Sequence, residues 1–161
     1  KPVPDVPLPY KSTVMKKTII ALSGLIFLFA CGGNDTETLP ATEVNMWNMD
    51  QDSVGNLIGT KFVATEIDSL YPEAVITFIN NNNPNIKLEF AKTNGDTLFL
   101  RIPNATFLTQ QMGSTGPEIY FAEAVYNCTE LPGIKYVRFD FEAGDHAEPG
   151  TYKREDFKLI Q

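Results

Sequence analysis

Residues 86–102 read IKLEFAKTNGDTLFLRI, and their alternation decides the fold. Ile86, Leu88 and Phe90 alternate with Lys87, Glu89 and Ala91. Beyond Thr93-Asn94-Gly95-Asp96, Leu98, Leu100 and Ile102 alternate with Thr97, Phe99 and Arg101. A period of two places each apolar set on one face of a strand. Asn-Gly supplies the positive φ values that a two-residue hairpin turn requires, so two antiparallel strands joined there are predicted. Pro103 ends the second strand, because it brings no N–H to the ladder.

Upstream, Phe62, Val63, Ala64 and Ile67 lie in a β-prone run, Thr60 to Ile67, that predicts a strand. Asp68-Ser69 and then Pro72-Glu73 open a helix, since proline suits the first helical position and an acid suits the positive N-terminal end. Val75, Phe78, Ile79 and Asn82 keep helical spacing, and Asn80 to Asn83 with Pro84 stop the helix. Downstream, Ser114 or Thr115 is expected to cap a second helix that runs into Ile119 to Leu131, with Phe121, Val125 and Cys128 on one stripe. Pro132-Gly133 ends it. Ile134 to Phe141 alternates again, with Val137, Phe139 and Phe141 opposite Tyr136, Arg138 and Asp140. Glu142 to Gly150 is an acidic turn region, and Lys153 to Gln161 adds a last short strand. The order is β-α-β-β-α-β over residues 57–161. It predicts a small α+β sandwich, with two helices packed on one face of a mixed or antiparallel sheet.

The segments before this domain are of a different kind. Residues 1–14, KPVPDVPLPYKSTV, carry four prolines and no helical or strand period, so they are expected to be unstructured and to lie upstream of a true start at Met15. Met15 to Cys31 reads MKKTIIALSGLIFLFAC: Lys16 and Lys17 form a positive region, and Thr18 to Ala30 an apolar run of signal-peptide length. The run is short for a bilayer span, which takes about 20 apolar residues. Its end, Leu28-Phe29-Ala30-Cys31, resembles the lipobox of bacterial lipoproteins, which implies cleavage of residues 15–30 and lipidation of the Cys31 sulfur. Residues 31–56 are then a polar, lipid-anchored tether. Its Gly32-Gly33-Asn34-Asp35 start resembles the glycine- and acid-rich segments of Bacteroidetes envelope lipoproteins.

Within the domain, Met112 to Tyr152 resembles the C-terminal half of the GerMN domain, known from spore-germination and sporulation lipoproteins. The residues that carry the likeness are Gly113-Ser114, Asn127-Cys128-Thr129-Glu130, Pro132-Gly133-Ile134 and the strand running from Val137 into Gly144. Asn127 and Cys128 stand where that family usually has Thr and Leu. The resemblance implies an envelope-attached α/β module with no established catalytic residues.

Composition restricts the chemistry further. Of 13 basic and 20 acidic residues, Lys1, Lys11, Lys16, Lys17 and Asp5 fall in residues 1–30, so residues 31–161 hold 9 basic and 19 acidic ones, a net charge of −10. Such a chain is repelled by phosphate backbones, no Lys/Arg run offsets this, and nucleic acid is not an expected partner. With Cys31 lipidated, Cys128 is left without a disulfide partner, so the core alone must stabilise the domain. His146 is the single histidine. Asp140, Glu142, Asp145 and Glu148 around it lack the spacing of a calcium loop. Gly113-Ser114-Thr115-Gly116 lacks both the Gly-x-Ser-x-Gly elbow and the lysine of a phosphate loop. Cys128, on an apolar stripe, reads as core rather than as the partner of His146. The Asn80 to Asn83 run reads as a helix stop rather than a sugar site. Asp52-Ser53-Val54, Asp68-Ser69-Leu70 and Asp96-Thr97-Leu98 resemble the acceptor tripeptides of Bacteroidetes O-glycosylation.

No residue is therefore assigned to catalysis, a cofactor or a metal. The expected function is that of a non-catalytic protein held to a bacterial membrane, at the outer membrane or the periplasmic face, which binds another envelope protein or peptidoglycan. A hydrolase acting on envelope polymers or glycans is the alternative. Stable attachment takes more than one acyl chain, as the lipobox modification provides. Cys31→Ser is expected to shift the protein from the membrane to the soluble fraction with its melting temperature unchanged; equal sedimentation with membranes would make the apolar run an uncleaved anchor.

Overall fold

The computed structural model describes residues 43–160. Residues 1–14, the apolar segment 15–30, Cys31 and the tether up to residue 42 lie outside the described residues. The α+β class expected from the sequence is the fold observed. Strands β1 (Val44–Gln51) and β2 (Leu57–Ala64) precede helix α1 (Pro72–Asn82). The hairpin β3 (Glu89–Asn94) and β4 (Thr97–Arg101) follows, then helix α2 (Gly116–Cys128) and strands β5 (Tyr136–Asp140), β6 (Gly150–Tyr152) and β7 (Leu159–Ile160). From β2 to β5 this is the β-α-β-β-α-β order read from the sequence.

The strands divide between two sheets, β1-β2-β7 and β3-β4-β5-β6. The second is mixed: β4 runs parallel to β5, and both outer pairs are antiparallel. Asn94 pairs with Thr97 across Gly95-Asp96, and Gly95 takes φ +59°, so the turn is the two-residue one that Asn-Gly favours. Leu98, Leu100, Val137 and Phe139 fill the inner face of this sheet, all buried. Ile86 and Leu88 are buried, but the paired strand runs Glu89–Asn94 rather than from Ile86, so both lie in the segment that leads into it. Phe90, paired with Leu100 on the sheet's outer strand, is exposed, and a bulge between Phe90 and Lys92 follows it.

Helix α1 starts at Pro72 and carries Glu73 in its first turn, and it buries Val75, Ile76, Phe78 and Ile79. The asparagine run closes it: Asn83 Nδ2 donates to the Ile79 carbonyl, while Asn80 donates to the Leu88 carbonyl and accepts from the Leu88 N–H. Helix α2 is led by Pro117, but the side-chain cap expected from Ser114 or Thr115 is absent. Thr115 already has helical dihedrals (φ −100°, ψ −26°), whereas a capping hydroxyl needs the extended conformation. The helix ends at Cys128 rather than Leu131, because Thr129 Oγ1 donates to the Val125 carbonyl and the next two amides close tighter i→i−3 bonds. Gly133, at φ +81°, then turns the chain into β5. A π-helical turn at Phe107–Gln111, not foreseen in the sequence, connects β4 to α2.

The tether is shorter than the sequence suggested. Val44–Gln51 is β1, paired residue for residue with β2 from Val44↔Ala64 to Gln51↔Leu57, so the folded domain begins well before Leu57. The apolar residues seemed scattered because the strand buries opposite faces along its length. Val44 and Met46 are buried on one face, and Met49 on the other. The outer edge of β1 is met by α2.

Phe139 is completely buried, its ring 5.0 Å from that of Phe121 on α2, while Arg138 is only half-buried. Truncating a buried phenylalanine costs about 3–5 kcal/mol. Phe139→Ala is therefore expected to lower the thermal midpoint severely, and Arg138→Ala to cost about 0.5–1 kcal/mol in chemical denaturation. Equal losses would mean that the strand faces the other way.

Candidate functional site

The side chains singled out for chemistry do not assemble. Cys128 has no exposed surface and burial pushes its thiol up to about 12, whereas His146 is exposed on the loop between β5 and β6. A thiolate at neutral pH is needed for nucleophilic attack, and this environment opposes it. Backbone bonds hold the acidic loop: the His146 N–H donates to the Thr109 carbonyl in the π-helical turn, and the Gly144 N–H to the Ala147 carbonyl within the loop. Its carboxylates stand in solvent, and among the described residues no three His, Cys, Asp or Glu side chains are placed to hold a metal. Gly113, at φ +68°, makes the turn into α2. Of the three acceptor-like tripeptides, Ser53 lies at the exposed β1–β2 turn, Ser69 donates to Asp68, and Thr97 is half-buried in β4. Cys31 lies outside the described residues.

What the fold does assemble is a groove of about 490 Å³ between the β1–β2 hairpin and α1. Phe62 of β2 and Phe78 of α1 form its apolar base, their rings 6.0 Å apart. Tyr71, 49% exposed, stands beside them at the start of α1. The polar lining comes from Asn48 on β1, Asn81 and Asn82 at the end of α1, and Glu66 and Asp68 in the connecting loop. Among the described residues no lysine or arginine lines it. An aromatic base with amides and two carboxylates suits a ligand that has an apolar part, hydrogen-bonding groups and positive charge. None of these residues formed a motif, since they come from four separate segments. The asparagine run was the visible part of the groove, and Asn80 and Asn83 are spent on the helix end.

Behind the groove, Glu123 of α2 is nearly buried, 8% exposed, and receives long hydrogen bonds from Asn82 Nδ2 (3.3 Å) and Asn83 Nδ2 (3.5 Å). Burial raises its pKa, and these two amides only partly oppose the shift. The Tyr120 hydroxyl is also buried, without a partner among the described residues, and desolvation raises its pKa strongly.

A second polar cluster joins α2 to the two hairpin strands. Asn127 accepts from the Trp47 N–H (2.7 Å) and donates to the Trp47 carbonyl (2.9 Å). Trp47 Nε1 donates to Glu130 at 2.8 Å, which also pairs with Arg154 at 2.7 Å and Lys61 at 3.5 Å. Partial burial works against the Glu130 charge, yet the bonds from Trp47 and Arg154 outweigh it and hold the carboxyl below its ordinary pKa.

Comparison of the chain with protein-family models, curated proteins and solved structures gives no match.

A carboxyl whose pKa is raised on folding binds its proton more tightly in the folded state, so it favours folding below its ordinary pKa and loses that contribution as pH rises through the folded value. Glu123→Gln keeps the shape and removes the buried charge. It is expected to stabilise the protein on the order of 1 kcal/mol at pH 7, with the advantage disappearing toward pH 4. Urea unfolding at the two pH values measures this; an equal or larger gain at pH 4 would contradict a raised Glu123.

Proposed function

We propose that this chain is a lipid-anchored, non-catalytic protein of the bacterial cell envelope, a binding or adaptor module whose groove between β1–β2 and α1 receives a segment of another envelope protein. The observation that carries the reading is the groove: an exposed Tyr71 over the Phe62–Phe78 base, with amides and two carboxylates around it. Exposed aromatic side chains beside a pocket are the residues that most often dominate protein association. Glu66 and Asp68, without a lining cation, favour a segment that carries lysine or arginine next to an apolar side chain. The lipobox-like Leu28 to Cys31 supports the anchor, and the GerMN resemblance of residues 112–152 supports an envelope module. Burial of Cys128 removes the thiol found among the described residues from the candidates for catalysis.

The alternative, a hydrolase acting on envelope polymers, finds its specific support in the same groove, where Glu66 and Asp68 are two carboxylates on one wall. A photoreactive residue replacing Thr77, which is exposed on the groove wall, separates the two. In cells that make the full chain, it is expected to give one discrete cross-linked protein, and Tyr71→Ala is expected to lower the yield about tenfold at an unchanged protein level. Cross-linking that ignores Tyr71 would place the partner elsewhere. Release of soluble fragments from purified peptidoglycan by the full chain, lost in Glu66→Gln, would replace binding by hydrolysis.

A further inference from the structure

Although residues 31–161 hold 9 basic residues against 19 acidic ones, the fold brings three cations from two distant segments to one cleft of about 400 Å³. Lys135 lines it from just before β5, and Lys153 and Arg154 from the segment after β6; Ile134 and Tyr136 form an apolar side, and among the described residues Glu155 is the one carboxylate in the lining. This cleft shares no lining residue with the groove described above. Acidic residues are abundant, yet among the described residues neither Lys135 nor Lys153 forms an ion pair.

Arg154 is held in place before any ligand arrives. Nε donates to Thr129 Oγ1 at 2.6 Å, and Nη2 donates to the Tyr126 carbonyl at 2.8 Å and to Glu130 at 2.7 Å. The guanidinium also lies 4.9 Å from the Tyr126 ring centre and 5.6 Å from that of Trp47. Of the five N–H donors of an arginine, three are thus used inside the protein, and the two on Nη1 have no partner among the described residues. The bond to the Tyr126 carbonyl also occupies the last turn of α2, where free carbonyls would repel an anion.

We propose that this cleft binds a phosphate group, held by the Lys135 and Lys153 ammonium groups and by Arg154 Nη1. Because Nε and Nη2 are engaged, Arg154 has no two-pronged fork left for a planar carboxylate. Three separate donors suit a tetrahedral oxyanion with up to two negative charges, and lysine serves phosphate as a point charge. The lining has three positive charges against one negative; beside it stand Glu130, paired with Arg154 at 2.7 Å and Lys61 at 3.5 Å, and Asp156, which accepts from the Lys153 N–H at 2.9 Å, so Lys135 and Lys153 are the positive charges left without an ionic partner among the described residues. Ile134 and Tyr136 give room for the carbon part of an ester. The ester is either a soluble metabolite or a phospholipid headgroup, which present the same group.

Calorimetry on the full 161-residue chain in a non-ionic detergent at low salt tests this, with glycerol 3-phosphate, mixed micelles containing phosphatidate, and acetate as probes. Saturable binding of a phosphate probe is expected, reduced about tenfold in Lys135→Gln and again in Lys153→Gln, and unchanged in Lys158→Gln, an exposed lysine outside the cleft. Raising the salt is expected to weaken it in the wild-type chain, a measurement that does not rely on variants folding. Binding of glycerol 3-phosphate assigns a soluble ester, and binding only in micelles assigns the headgroup. The proposal is overturned if neither phosphate probe saturates, if acetate binds as tightly, or if both lysine variants bind like the wild type at an unchanged melting temperature.

Discussion

The two hydrogen bonds between the Asn127 carboxamide and the backbone of Trp47 are the constraint on which the three-stranded sheet rests. Among the described residues strand β1 has a strand partner on one side only, and an open strand edge presents N–H and C=O groups to whatever approaches. Asn127, completely buried on α2, supplies one acceptor and one donor in the spacing of a neighbouring strand, so the helix stands in for a strand at that point. Leaving both backbone groups buried and unpaired would cost about 1–3 kcal/mol each. The same contact brings the Trp47 indole to Glu130, and through Glu130 to Lys61 and Arg154, so one amide side chain fixes where β1, β2 and the C-terminal segment meet.

How far the fold was legible follows from the kind of burial each element has. Strand β4, helix α1 and strand β5 each present one face to the core, and a one-sided element carries its period in the sequence. Strand β1 does not: Met46 and Met49 lie on opposite faces, the pattern VNMWNMDQ shows no clean alternation, and it reads as tether. Helix α2 is the other extreme. It lies against β1, α1 and β5, so even Glu123 and Asn127 are covered, and the Phe121–Val125–Cys128 stripe marks only part of its buried surface. The caps and the exact end of α2 were missed for a local reason, since backbone dihedrals at Thr115 and hydroxyl back-bonding at Thr129 decide them.

Neither cleft was visible as a motif. Asn48, Phe62, Tyr71 and Asn81 meet only because β1–β2 packs beside α1, and Lys135 meets Lys153 and Arg154 only because the segment before β5 and the segment after β6 line one cleft. Net charge says nothing about where a few cations gather. In a chain so acidic, position rather than number gives a lysine its use. Asn127 mattered for its chemistry, since its amide makes both bonds to Trp47. A threonine hydroxyl has no second, spaced group with which to do the same.

Arg154 links the structural cluster to the second cleft, and the order of its commitments matters. Glu130 stays ionised because Trp47 and Arg154 donate to it despite partial burial, and an ionised Glu130 in turn fixes the guanidinium against Tyr126. The arginine therefore spends little conformational freedom on a ligand, having lost it on folding, and the entropic cost of ordering a long side chain at binding is avoided. A lysine in its place would keep the charge but not the arrangement, since one ammonium cannot serve Thr129, Tyr126 and Glu130 in a plane while leaving further donors outside it. The same contacts that close the C-terminal segment onto α2 thus leave one edge of the guanidinium ready for use.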